Sequence, residues 1–105
     1  MHENDNYFTP DKCNDLSQIR DAIDNIDCQI IRLLKKRIEY TNAAHKFKKS
    51  EIEVRDPVRV SAVLDKIKIN AIRADIDPAL IEKLYLLIIP YCIEEQLKLW
   101  RAHYR

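Results

Sequence analysis

Hydrophobic and polar positions in the first half of the chain alternate with the period of an α-helix. Large aliphatic residues recur at alternating steps of four and three, at Ile19, Ile23, Ile26, Ile30 and Leu33. This spacing places them on one face of a helix. Asn14 and Asp15 precede the pattern and are suitable N-terminal caps. The rhythm continues to Lys48, so we predict a first helix over residues 15–49.

Two further helices are indicated by Asp-Pro pairs, in which Asp caps the helix and Pro occupies its first position. The pairs are Asp56–Pro57 and Asp77–Pro78. They predict helices over residues 57–74 and 78–103. The segment 49–55 between the first two helices has no apolar period, and we expect it to be a mobile loop.

Composition favours an all-α protein of one domain. The 105 residues include no glycine, which hairpins and phosphate-binding loops usually require. We predict a single helical domain over residues 1–105, with residues 1–13 as an N-terminal extension. Lys and Arg number 18 against 17 Asp and Glu, so no basic field is present to bind nucleic acid.

Metal, cofactor and membrane functions find no support in the sequence. The three cysteines form no CxxC pair and the three histidines no HExxH motif, so we expect no metal site and no cofactor. The free thiols and the absence of a signal-peptide pattern predict a cytoplasmic protein. The longest apolar run, "LYLLIIPYCI", is about half of a membrane span.

The length of the first helix predicts a dimer. It would extend about 50 Å, whereas the other two would extend about 27 and 39 Å. One chain would leave much of the long apolar stripe uncovered. We therefore expect an intertwined homodimer of three-helix chains.

Polar residues interrupt the apolar stripes at three positions. Arg37 and Lys48 are 11 residues apart, which on one helix is three turns plus about 20°, so they would share a face about 16 Å apart. Gln96 interrupts the stripe of the third helix, and Arg59 lies in the first turn of the second. These groups could bind a substrate with several carboxylates. The alternative is that the cations extend to the surface and form ordinary salt bridges.

Three stretches carry a resemblance to a known family. They are "LSQIRDAIDNIDCQIIRLLKKRIEYTNAAHKFK", "PVRV" and "IEEQLKLWR". From about residue 8 to 105 the chain resembles the all-helical chorismate mutase (type II) family. Within it, the chain is most similar to the isochorismate pyruvate lyase branch of salicylate and siderophore biosynthesis.

The resemblance implies a role for each polar residue. Arg20 of the partner subunit and Arg37 of the same chain would bind the two substrate carboxylates. Lys48 would reach the ether oxygen, and Gln96 would support it. The implied active site is thus shared between the two chains of a homodimer.

Two further positions concern the loop and the choice of substrate. Arg59 matches an arginine beside the loop in this family, and its role is less defined. The resemblance also implies that residues 49–55 form a lid over the active site. Mutases of the family usually place a polar residue directly after that arginine, whereas this chain has Val60. An apolar residue there resembles the lyases.

The implied reaction converts isochorismate to salicylate and pyruvate by a concerted hydrogen transfer, without metal or cofactor. Two alternatives stay open. One is a chorismate mutase that forms prephenate, an activity also expected as a weak side reaction of a lyase. The other is a non-catalytic helical dimerisation module, which would favour apolar residues at positions 37, 48 and 96.

Overall fold

The computed structural model describes residues 9–104, and within that range the chain is helical and contains no strand. The all-α prediction is confirmed. The α-helices are α1 (Leu16–Ala43), α2 (Glu51–Arg55), α3 (Pro57–Arg73) and α4 (Pro78–His103), and two 3₁₀ segments span Pro10–Lys12 and Ala44–Phe47. No helix in the described range is long and apolar enough to cross a membrane. The predicted N-terminal extension lies largely outside the described residues.

The chain divides into two compact units, residues 1–37 and 38–105. The described part of the first unit consists mainly of α1, which begins where the sequence predicts. Asp15 Oδ1 accepts a hydrogen bond from the Gln18 N–H (2.9 Å), and Gln18 Oε1 accepts one from the Asn14 N–H (2.7 Å). The aliphatic stripe of this helix is exposed to solvent, from Ile19 to Leu33. α1 therefore has an apolar face without a core of its own.

The end of α1 differs from the prediction. The helix ends at Ala43 instead of residue 49, and after the 3₁₀ segment Lys48 is extended, with φ −100° and ψ 140°. Contacts that resemble a capping box begin the next helix at Ser50. Ser50 Oγ accepts from the Glu53 N–H (3.2 Å), and Glu53 Oε1 accepts from the Lys49 N–H (2.7 Å). Ser50, the N-cap of the next helix, is extended at φ −154° and ψ 165°, so the first helix cannot continue through Ser50.

The segment predicted to be a loop contains helix α2. Its apolar residues do have a pattern, because Val54 is 2% exposed while Ile52 is 74% exposed. α2 packs on α4, and Val54 is its buried residue. The expectation that this segment is a loop without an apolar pattern is therefore wrong.

α3 and α4 form the main packing pair of the second unit and begin at the predicted Asp-Pro pairs. Asp56 Oδ1 accepts from the Arg59 N–H (3.1 Å), and Asp77 Oδ1 accepts from the Ala79 N–H (2.9 Å). α3 ends at Arg73, one residue before the prediction, and α4 ends at His103 as predicted. The buried residues of this unit are Val54, Ile67, Ala71, Ile89, Cys92, Gln96 and Leu97.

Aspartate takes the place of glycine at the two left-handed positions of the described chain. Asp56 has φ 42° and Asp75 has φ 58°. Asp tolerates this conformation better than most residues because its short side chain can hydrogen-bond locally. This is how a chain without glycine forms a sharp turn after α2 and another after α3.

Candidate active site

Lys48 is the sequence-predicted site residue whose surroundings are best defined. Its Nζ lies 3.3 Å from Asp56 Oδ2, and its side chain is 21% exposed. Its main-chain carbonyl accepts a hydrogen bond of 2.9 Å from Trp100 Nε1 on α4. The prediction that Lys48 shares a helical face with Arg37 is wrong, because α1 ends before Lys48. The Lys48 position is instead set by a salt bridge and by a contact with a residue 52 positions away.

Asp56 is the residue of this site that sequence reasoning missed, although it was correctly predicted as a cap. It joins two helices: its N–H bonds to Ile52 O (2.8 Å) at the end of α2, and its Oδ1 caps α3. The hydrogen bond from the Arg59 N–H is the main cause that holds the pKa of Asp56 below its usual range. Partial burial of the carboxylate acts in the opposite direction and raises the pKa. The hydrogen bond from Lys48 lowers it further. The carboxylate that faces Lys48 is thus ionised at neutral pH.

Gln96 lies on α4 one turn before Trp100, about 6 Å along the helix axis. Residues four apart share a helical face, so Gln96 and the Trp100 contact with Lys48 lie on the same side of α4. Gln96 is 6% exposed, and its Oε1 is buried without a hydrogen-bond partner among the described residues. An unpaired buried polar group costs about 1–3 kcal/mol. A ligand or water molecule beside Gln96 would remove this cost.

Two ion pairs fasten α2 to α4. Arg101 Nη2 lies 2.6 Å from Glu51 Oε1, and Arg55 Nη1 lies 3.7 Å from Glu94 Oε2. The hydrogen bond from Arg101 lowers the pKa of Glu51, and the same bond raises the pKa of Arg101. All four side chains are about half exposed, so water and salt weaken both pairs. The burial of Val54 therefore contributes more to holding α2 on α4 than these two ion pairs do.

The 3₁₀ segment that leads into Lys48 is also packed on the end of α4. The rings of His45 and His103 meet edge to face, with centroids 5.7 Å apart. Trp100, which holds the Lys48 carbonyl, in turn packs against Tyr104 at 5.0 Å. The C-terminal turns of α4 thus support both the backbone before Lys48 and the backbone of Lys48 itself.

Arg59 and Val60 occupy different surroundings at the start of α3. The Arg59 N–H bonds to Asp56, while the Arg59 residue as a whole is exposed. Val60 lines a largely apolar groove of about 200 Å³. The other lining residues are Arg55, Leu64, Leu86, Ile89, Pro90, Ile93 and Glu94, and they do not include Lys48 or Gln96. The Arg59 backbone therefore contacts the carboxylate that pairs with Lys48, whereas Val60 lines the groove, and a substrate contact of either side chain stays a prediction.

The two remaining predicted ligands belong to the first unit. Arg20 is exposed and Arg37 half-buried, and α1 is unbroken between them. Their 17-residue separation corresponds to about 25 Å along the helix axis. One small molecule could not contact both arginines of the same helix. Their assignment to substrate carboxylates stays a prediction.

Metal-ligand clusters were also expected to be absent. The described residues contain no group of three or more His, Cys, Asp or Glu side chains that could hold a metal ion. Cys13, Cys28 and Cys92 are free thiols, and only Cys92 is buried.

Comparison with known proteins identifies the family. The family model described as chorismate mutase type II matches residues 19–97. The chain is also similar to an isochorismate pyruvate lyase of Pseudomonas aeruginosa, with 41% identity over 93 residues. That alignment covers 89% of this chain and 92% of the relative. The predicted site residues from Arg20 to Gln96 all lie within the range matched by the family model. With its helical fold and this match over most of its length, the chain belongs to the chorismate mutase type II family.

Proposed function

We propose that this protein is an isochorismate pyruvate lyase that forms salicylate and pyruvate. The observation that carries the proposal is the 41% identity to a protein of that name over 89% of the chain. Lys48 and Gln96, whose chemistry suits an oxygen-rich anion, give it independent support. The lyase would supply salicylate to siderophore biosynthesis.

The reaction can be written without any external reactant. The hydrogen on the ring carbon that bears the hydroxyl group, next to the carbon that bears the ether, moves to the methylene carbon of the enolpyruvyl group as the ring C–O bond breaks and a ring C=C bond forms. The methylene becomes the methyl group of pyruvate, and the ether oxygen becomes its keto oxygen. The ring becomes aromatic, and no water, electron or proton has to enter. The protein's task is to hold the folded conformer and to stabilise charge.

Lys48 is the residue we assign to charge stabilisation. As the C–O bond breaks, electron density increases on the ether oxygen, and a fixed ammonium beside it lowers the barrier. Gln96 has a buried amide on the side of α4 that faces the Lys48 backbone, and it would bind the same region of the substrate. Both are the catalytic residues of the proposal.

Substrate binding is assigned to arginines and to the start of α3. Arg37 and Arg20 of the partner subunit would hold the two carboxylates, because guanidinium groups bind carboxylates in bidentate geometry. Arg59 would add positive charge beside Asp56. Val60 would favour isochorismate by offering no polar contact to the hydroxyl group of chorismate.

A homodimer with shared sites is part of the proposal. Its support is the exposed aliphatic face of α1, which a second copy of the chain would cover. The 25 Å between Arg20 and Arg37 gives a second reason, since a site that uses both arginines must take them from two chains.

Chorismate mutase activity is the second candidate, because the matching family model bears that name. We expect it to be weak in this chain. Lys48 and Gln96 would suit either substrate, whereas Val60 lacks the polar contact that a mutase would use. A dimerisation module without catalysis is disfavoured by the partly buried Lys48 and by the unpaired amide oxygen of Gln96.

The test is to offer purified protein isochorismate and chorismate separately. We expect salicylate fluorescence and equal amounts of pyruvate from isochorismate, and little prephenate from chorismate. Lys48→Ala provides the control for contaminating enzymes. If prephenate is the main product, the protein is a chorismate mutase and the lyase proposal is refuted. If neither substrate is consumed, the catalytic proposal is refuted.

A further inference from the structure

The salt bridge between Lys48 and Asp56 suggests a role for Asp56 beyond that of a helix cap. We propose that Asp56 is a positioning residue that holds the Lys48 ammonium in place before a substrate binds. The catalytic consequence of this role rests on the proposed function. The geometry of the Lys48–Asp56 pair does not depend on the proposed function, because the pair is present in the protein without ligand.

Asp56 is well suited to be a fixed anchor. Its N–H bonds to Ile52 O (2.8 Å), its carbonyl accepts from the Val60 N–H (3.0 Å), and its Oδ1 accepts from the Arg59 N–H (3.1 Å). The left-handed backbone at φ 42° and ψ 65° and the following Pro57 restrict it further. Three of its four hydrogen-bonding groups are thus used at the junction of α2 and α3. The fourth, Oδ2, is directed at Lys48.

Lys48 benefits from such an anchor because only its backbone is otherwise held. Trp100 binds the main-chain carbonyl, while the side chain has four flexible bonds. Without Asp56 the ammonium could sample many positions. An ammonium has three donors, and the bond to Asp56 uses one of them. The remaining two can bind a substrate oxygen while the pair stays intact.

The charge of Lys48 also indicates that Asp56 holds the ammonium in place. The Lys48 side chain is only 21% exposed, and a partly buried cation is costly unless it is paired. Asp56 is ionised at neutral pH, because the Arg59 N–H lowers its pKa. A full negative charge therefore compensates the ammonium, and the five-residue helix α2 lies between the two partners.

The chain offers a matched control in Asp77. It also precedes a proline and caps a helix, with its Oδ1 2.9 Å from the Ala79 N–H. Among the described residues it has no ion-pair partner. Asn caps helices about as well as Asp and tolerates the left-handed conformation, so an Asp→Asn change at either position removes mainly the charge.

The decisive experiment is a double-mutant cycle in kcat/KM for isochorismate. We expect Asp56→Asn to lower kcat/KM about tenfold, mostly through kcat, since small misplacements of a catalytic group are costly. Asp77→Asn should stay within about twofold of the wild type, because surface charge changes away from a site have small effects. In a Lys48→Ala background, Asp56→Asn should have no further effect. A tenfold loss in that background as well would show that Asp56 acts independently of Lys48, and would overturn the proposal.

A measurement without substrate separates this inference from the proposed function. In protein labelled with ¹⁵N-lysine, we expect the Lys48 ammonium protons to exchange with water at least about fivefold faster in Asp56→Asn than in the wild type or Asp77→Asn. Equal rates in all three proteins would overturn the positioning role. If exchange changes as expected but the wild type does not consume isochorismate, the ion pair stands and the lyase assignment fails.

Discussion

Val54 is the residue on which the attachment of α2 depends, and its truncation gives a quantitative test. Val54 is 2% exposed, and α2 has only five residues, too few for a stable helix without tertiary contacts. Val54→Ala removes two buried methyl groups. At about 0.8 kcal/mol per group, plus a small cavity cost, the loss is about 2 kcal/mol.

This loss should appear as local opening of α2. Two amides report on the helix: the Val54 N–H, bonded to Ser50 O at 3.1 Å, and the Asp56 N–H, bonded to Ile52 O at 2.8 Å. A loss of about 2 kcal/mol corresponds to roughly 30-fold faster hydrogen exchange at these amides, if they exchange by local opening. Amides in the middle of α3 and α4 should change much less. Amide exchange followed by NMR resolves the three regions.

Ile52→Ala is the matched control for this prediction. It lies in the same short helix and also loses aliphatic carbon, but Ile52 is 74% exposed. We expect its effect on the two reporter amides to be less than about threefold, as for most surface substitutions. If both variants accelerate exchange equally, burial of Val54 is not what holds α2. A salicylate-like ligand that slows exchange in Val54→Ala would support the predicted lid function of residues 49–55.

Three further predictions concern the charged residues. Lys48→Ala should lower kcat at least about 100-fold, as expected for the loss of one preorganised electrostatic contact. Steady-state kinetics measure this loss, and circular dichroism checks that the variant stays folded. Arg20→Ala and Arg37→Ala should each be nearly inactive, but equal mixtures refolded together should recover about a quarter of wild-type activity, because half the dimers are mixed and each has one intact site. If subunit exchange is verified and no activity returns, the shared site is refuted. Asp56 has a lowered pKa in the folded state, so its stabilising effect should be complete above about pH 4 and disappear as the pH falls through the folded value. Urea unfolding of the wild type and Asp56→Asn should therefore differ at pH 6 and converge as the pH falls through the folded pKa of Asp56, and a difference that is independent of pH would contradict this reasoning.

Local signals in the sequence were sufficient for most of the helices. Asp15 as the cap of α1 and the Asp-Pro pairs at Asp56 and Asp77 predicted three helix starts, because a cap acts through backbone groups only two or three residues away. The absence of glycine indicated the all-α class. The S-x-x-E pattern of Ser50 and Glu53 was also readable, and recognising it would have predicted the start of α2.

The arrangement around Lys48 depended on tertiary structure. The helical period continued to Lys48 in the sequence, but periodicity does not show where backbone hydrogen bonding stops. Trp100 lies 52 residues from the carbonyl it binds, and the partnership of Lys48 with Asp56 requires α2 to fold between them. Residue types identified Lys48 and Gln96 as unusual members of apolar stripes. Only the tertiary structure determined that Lys48 is paired and that Gln96 is buried with an unpaired oxygen, because burial and pairing depend on contacts between distant parts of the chain.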